Sequence, residues 1–228
     1  MMPRVLALVL IGTLLFGGCT NPSASPQKGE NVTLSFGVAA HSTTDLATTA
    51  VTIESAKILL KNITFHRFPS DDGQDIKTGP LVVLLNLNGS LNTVAASRVA
   101  SGQYDRVRFI LHKPEDLEPI PDPEFRDGES GSRRYSTIVR GTYEGRPFVY
   151  KSRINAQQEV RFTSPITVPE DGVVNVTLVV DPGSWFVHNG AALDPADPSN
   201  ADTIDEAIKA SFRNAFRDDN RDGRADDR

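Results

Sequence analysis

From Asn31 onward the chain runs in short apolar stretches cut by turn residues. In "VTLSFGVAA", Val32, Leu34 and Phe36 alternate with Thr33, Ser35 and Gly37. That period of two marks a strand with one face on a core. "AVTIESAKILLKNITFHRF" carries Val51, Ile53, Ile58 to Leu60, Ile63 and Phe65, which predicts one long strand or two broken ones. "PLVVLLNLNG" is apolar without a break from Leu81 to Leu85, as expected of a strand covered on both faces. "YDRVRFILH" sets Val107, Phe109 and Leu111 against Arg106, Arg108 and His112.

Turn chemistry punctuates the pattern. Glu144-Gly145 lies between two β-rich arms in "YSTIVRGTYEGRPFVYKSRI", and a glycine there supplies the positive φ of a tight hairpin. Glu170-Asp171-Gly172 precedes a strand whose Val174, Val176, Leu178 and Val180 point inward. Lys113 to Arg134 is a long Pro-rich, acidic stretch. Its prolines cannot donate to a ladder, so it predicts a solvated loop rather than a central strand. Short strands at this spacing predict an all-β, antiparallel sandwich or barrel.

One helix is expected, near the end. Thr203 and Glu206 have capping-box spacing. Ile204, Ile208, Phe212 and Phe216 then recur every four residues, an apolar stripe fit to dock on the sheets. Directly after it comes "DDNRDGRAD". Asp218, Asn220, Asp222 and Gly223 fill positions 1, 3, 5 and 6 of an EF-hand loop, Asp226 fills position 9, and Arg224 offers a backbone carbonyl at position 7. Alternate side chains converge as such a loop curls, and the glycine allows its sharp turn. The printed sequence stops at Arg228, one short of the bidentate Glu expected at position 12. Calcium is therefore expected to bind weakly, with a dissociation constant on the order of 10⁻⁴–10⁻³ M. The alternative is a frayed polar terminus.

The first residues belong to a different physical class. Arg4 precedes an uncharged apolar stretch from Val5 to Phe16 and then small residues, the layout of a secretory signal. It is shorter than the ~20 apolar residues that span a bilayer. Cys19 follows at once and is the only cysteine of the chain, so an internal disulfide is excluded. "LFGGC" resembles the lipobox of bacterial lipoproteins. The resemblance implies an acylated Cys19, a signal peptide over 1–18 and a membrane anchor of two or more acyl chains. Thr20 in place of Asp points by the same resemblance to the outer membrane. The Ser/Pro/Asn/Gly-rich 19–30 reads as a flexible tether. The β domain is then expected over 31–200, with the helix and acidic loop over 201–228.

Composition narrows the partners. Of 228 residues, 39% are hydrophobic and 23% charged, which suits a folded domain. The net charge of −5 and the lack of any basic stretch exclude a nucleic-acid partner of ordinary type. "ASGQYDRVRFIL", "VDPGSWFVHNGAALDP" and "SFRNAFRDDNRDG" together resemble a group of bacterial lipoproteins that carry a β-sandwich domain of unknown function. That likeness implies an envelope-anchored sandwich, sometimes ending in a D-x-D-x-D-G-type segment, and brings no established activity and no catalytic residues to transfer.

Chemical motifs are few. The chain contains no G-x-S-x-G, H-E-x-x-H, P-loop or G-x-G-x-x-G pattern. His41, His66, His112 and His188 are scattered without metal-ligand spacing. The acidic pairs Asp71-Asp72 and Glu115-Asp116 read as solvated charges rather than a general acid and base. Trp185 reads as a core residue rather than a glycan-stacking platform. Asn31, Asn62, Asn88 and Asn175 begin Asn-X-Ser/Thr triplets, incidental in a bacterial lipoprotein. The expectation is a non-enzymatic envelope protein, structural or binding a glycan or protein ligand. The alternative is an envelope enzyme acting on glycan or peptide, with its site in the 113–134 loop.

Overall fold

A computed structural model describes residues 24–39, 50–127 and 133–226. Thirteen strands fall among them: β1 Val32–Val38, β2 Val51–Arg67, β3 Gly73–Lys77, β4 Leu81–Leu84, β5 Asn92–Ser97, β6 Gly102–Leu111, β7 Thr137–Tyr143, β8 Arg146–Ser152, β9 Ala156–Val168, β10 Val174–Val180, β11 Val187–His188, β12 Ala191–Ala192 and β13 Phe212–Arg217. The α-helix that lies wholly among the described residues, α1, is Ala201–Ala210. The all-β expectation with one C-terminal helix holds.

The strands follow the order β5-β1-β10-β13-β9-β6-β2-β7-β8, with β3 and β4 also on β2. The sheet curls so that its two halves share one core. Val32, Leu34 and Phe36 of β1 and Val174, Val176 and Leu178 of β10 meet Ile58, Leu60, Val107 and Phe109 there. Aromatic edges fill it: Phe109 of β6 meets Phe212 of β13 across the halves at 5.0 Å between ring centroids, and Phe65 of β2 meets Phe162 of β9 at 5.3 Å. Trp185 is fully buried in the same core.

β2 is one continuous strand of 17 residues. Its first part pairs with β4 and β7, its second with β3 and β6. Gly141 of β7 is where β2 comes closest: a Cβ there would lie 1.9 Å from the Thr52 carbonyl oxygen. The β7–β8 hairpin turns at Glu144 and Gly145, both at positive φ (49° and 77°), as the two central positions of a tight hairpin require.

Two expectations are corrected. The sheet is mixed, because β1 runs parallel to β10 and β13 parallel to β9. And the helical stripe ends early. α1 begins at Ala201 after a short 3-10 turn, with Asn200 at its N-cap and no side-chain cap bond, so Thr203 lies inside the helix rather than capping it. It ends where the Ser211 hydroxyl takes the Ile208 carbonyl (2.7 Å). Phe212 to Arg217 is a strand instead. A bulge also breaks the four-residue stripe, placing Phe212 and Phe216 on opposite faces. The β13–β10 register shifts between Val179 and Val180, so Arg213 is left over. Such a bulge puts residues three apart on one face, and Phe212 and Ala215 both enter the core. β13 thereby fills the gap between β9 and β10, neighbours in sequence that are not neighbours in the sheet.

The described part of the 113–134 stretch is not a solvated excursion. Lys57, Leu59 and Lys61 alternate on the outer face of β2, and the loop lies over them. Phe125, fully buried, packs with Leu59 and Ile138 in a second small core. Lys57 holds Asp122 (2.6 Å) and Glu124 (2.9 Å), and Arg140 holds Glu124 from the other side.

Candidate ligand cavity and the C-terminal acidic loop

The outer face of the β5-β1-β10-β13 half is polar by alternation yet buried. Thr33, Ser35, Thr93, Asn175 and Thr177 are each at most 5% exposed. Buried hydroxyls and amides need partners, and these find one another across the three strands β5, β1 and β10. Ser35 Oγ lies 2.9 Å from Thr93 Oγ1 and donates to Asn175 Oδ1 (2.8 Å), which also accepts from Thr33 Oγ1 (2.8 Å). Asn175 Nδ2 donates onward to the Asp218 carbonyl (2.8 Å).

Asp218 terminates this ladder and is fully buried. One carboxylate oxygen accepts from Thr177 Oγ1 (2.8 Å) and the Gly223 amide (3.1 Å), the other from the Asp222 amide (3.0 Å). No Lys or Arg among the described residues pairs with it. The three donors instead supply what a buried carboxylate requires. Asn220 and Asp222 each fold their side-chain oxygen onto a backbone amide two residues on, at 2.9 and 2.8 Å. Gly223 carries φ 80°, a turn that a Cβ would resist.

Among the expected calcium residues, Asp218, Asn220 and Asp222 therefore share one curled loop, with the Arg224 amide tied to Asp222. The Asp226 carboxylate turns back to accept from the Asp219 amide. Among the described residues, no group of three His, Cys, Asp or Glu side chains is arranged to hold a metal ion. Cys19 and the other signal and tether residues through 23, and the final two residues, lie outside the described residues. No helix among those described is long and apolar enough to cross a membrane.

Beside the loop opens a cavity of about 720 Å³. Val38, Ile53, Leu91, Val179 and Phe186 are among its apolar lining, Thr177 and Asn88 add polar groups, and Asp222 and Gly223 line it from the loop. Ala39 and Val51 line it too, the latter just past the undescribed 40–49. Size and lining suit a small, mainly apolar molecule. The cavity had no signature in the sequence, because its walls come from five separated segments.

Among the described residues of the 113–134 loop, Glu118 and Asp116 are engaged with cations. Glu118 receives Lys61 Nζ (2.7 Å), His112 Nε2 (2.5 Å) and the Glu115 amide (3.0 Å). Burial alone would push its pKa up, but these donors outweigh it and hold it at about 2. The same carboxylate raises the pKa of Lys61. Asp116 pairs with Arg134 at 2.6 Å. His66 in β2 and His112, just past the end of β6, are on separate networks, the former against Asp71, and His188 lies in β11. His41 is outside the described residues.

No protein-family model matches this chain, and no curated protein does. Among solved structures it is similar to MbnP from Methylosinus trichosporium, with 12% identity and a TM-score of 0.41 over 74% of this chain and 85% of that one. Likeness at this level transfers no function.

Proposed function

We propose that the protein is a non-enzymatic, ligand-binding protein of the bacterial cell envelope, held at the membrane by acylated Cys19. Its ligand is a small apolar molecule, taken up in the cavity beside the C-terminal loop. That loop binds calcium weakly through Asp218, Asn220, Asp222, the Arg224 carbonyl and Asp226. The cavity, with its apolar lining and with Asp222 and Gly223 lining it from the loop, supports this reading above all. The EF-hand-type spacing and the curl of residues 218–223 around Asp218 support the metal.

The test uses N-phenylnaphthylamine, a neutral dye that brightens in apolar sites, with the purified full chain. Dye binding that weakens about tenfold or more in Val179→Trp, whose indole occupies the cavity, is the expected result. Binding unchanged in that variant removes the cavity from the function. Calcium is tested separately by thermal unfolding. At about 10 mM, ten to a hundred times the expected constant, it should stabilise by about 1.4–2.7 kcal/mol. Identical melting in calcium and in chelator disposes of the metal while leaving the cavity reading in place. Intact-mass measurement of the membrane-extracted protein, showing acyl groups at Cys19, tests the anchor.

A further inference from the structure

Leu117 is the most exposed large apolar side chain among the described residues, at 96%. It stands third in a turn of Glu115 to Glu118, which the Glu118 amide closes on the Glu115 carbonyl at 3.4 Å. Its φ is +61°. Turns with positive φ at that place take Gly or Asn, because a larger L side chain crowds its own backbone there. Leucine therefore strains the turn, and at 96% exposure it recovers nothing by burial.

The turn is nevertheless held fast. Its Glu115 carbonyl accepts from Arg126 Nη2 (2.8 Å) and Arg134 Nη1 (2.6 Å), and the Glu118 carbonyl accepts from Arg126 Nη2 (2.9 Å). From below, Lys61 and His112 grip the Glu118 side chain. On the outer side the Glu115 and Asp116 side chains stay 74% and 79% exposed beside the leucine, although Lys61 approaches Glu115 at 3.6 Å and Arg134 pairs with Asp116 at 2.6 Å. A strained residue in an over-determined setting is what a preorganised contact requires, since little conformational freedom remains to be lost on binding.

We propose that Leu117, flanked by Glu115 and Asp116, is a docking knob for a protein partner offering an apolar pocket rimmed by Lys or Arg. Charge complementarity selects that partner over a lipid surface: the exposed acids are repelled by anionic headgroups, and one leucine anchors little in a bilayer. A convex tip also has no room to enclose a small molecule.

The test places the photo-crosslinking residue p-benzoylphenylalanine at 117 in the full chain, expressed in a bacterium that makes it, with a control at the half-exposed Val173. The protein joined at 117 and not at 173 is then purified and its affinity measured directly. Leu117→Asp and Glu115→Lys should each weaken binding about tenfold or more, as at a central anchor. Leu117→Gly should lose binding equally while melting at the same or a higher temperature, because glycine relieves the turn. Three results would overturn the proposal: no protein adduct specific to 117, an adduct to lipid, or a captured protein whose affinity ignores Leu117→Asp. A lowered melting temperature in Leu117→Gly would also sink it, by showing that the leucine serves the fold.

Discussion

Asp218 shows how a single residue ties the C-terminus to the sheet. Its carboxylate is buried without a cation, so its stability rests on three hydrogen-bond donors from β10 and the loop. Asp218→Ala leaves those donors orphaned and should cost about 2–4 kcal/mol in urea unfolding. Asp218→Asn keeps one acceptor oxygen and should cost less. Glu118 makes a pH-dependent contribution instead. Its pKa is about 2 in the folded protein against an ordinary 4.5. A depressed carboxylate stabilises fully above the unfolded value and loses that contribution as the pH falls from about 4.5 through 2. Stability measured at pH 7 and pH 3 should therefore differ less in Glu118→Gln than in the parent. Equal differences would show that the Lys61–Glu118–His112 cluster carries no such linkage.

Among the elements, β13 has the largest consequence for its length. It pairs antiparallel with β10 and parallel with β9, and it brings Phe212 and Ala215 into the core. Deleting 212–228 opens the sheet at that seam and leaves two strand edges unpaired. The expected outcome is loss of the cooperative unfolding transition. Deleting 220–228 spares the strand but uncovers Asp218 and removes two of its donors. That variant should still unfold in one transition, at lower denaturant. If both deletions unfold alike, the seam is not what holds the halves together.

The whole molecule places its chemistry unevenly. One outer face is laced with ion pairs, as where Arg106 and Arg108 of β6 meet Asp71 and Glu159. The 113–127 segment covers another, over Leu59. The third carries the buried polar ladder, the acidic loop and the cavity together, so ligand and calcium would act on neighbouring groups. Thr177 belongs to both, since its hydroxyl holds Asp218 and it lines the cavity. Binding at one place is therefore expected to alter affinity at the other, and reciprocally. Dye titrations with and without calcium check it, with equal affinities as the opposing result.

Much of the strand content was legible because a half-buried strand must alternate: β1, β6 and β10 were read correctly from that rule alone. So was the β7–β8 turn, where backbone stereochemistry demands residues such as Gly145. The period of four at Ile204 and Ile208 marked α1, because three-dimensional neighbours on a helix are close in sequence. Where partners are distant, local pattern gave no guide. Phe212 and Phe216 look helical by spacing, and only the vacant edges of β9 and β10, with a bulge at Arg213, made them a strand. Thr33, Ser35 and Thr177 look solvent-facing until the C-terminal loop covers them. The docking of Phe125 onto Leu59 and the walls of the cavity were likewise decided by tertiary contact, because each joins segments whose separation carries no periodic trace.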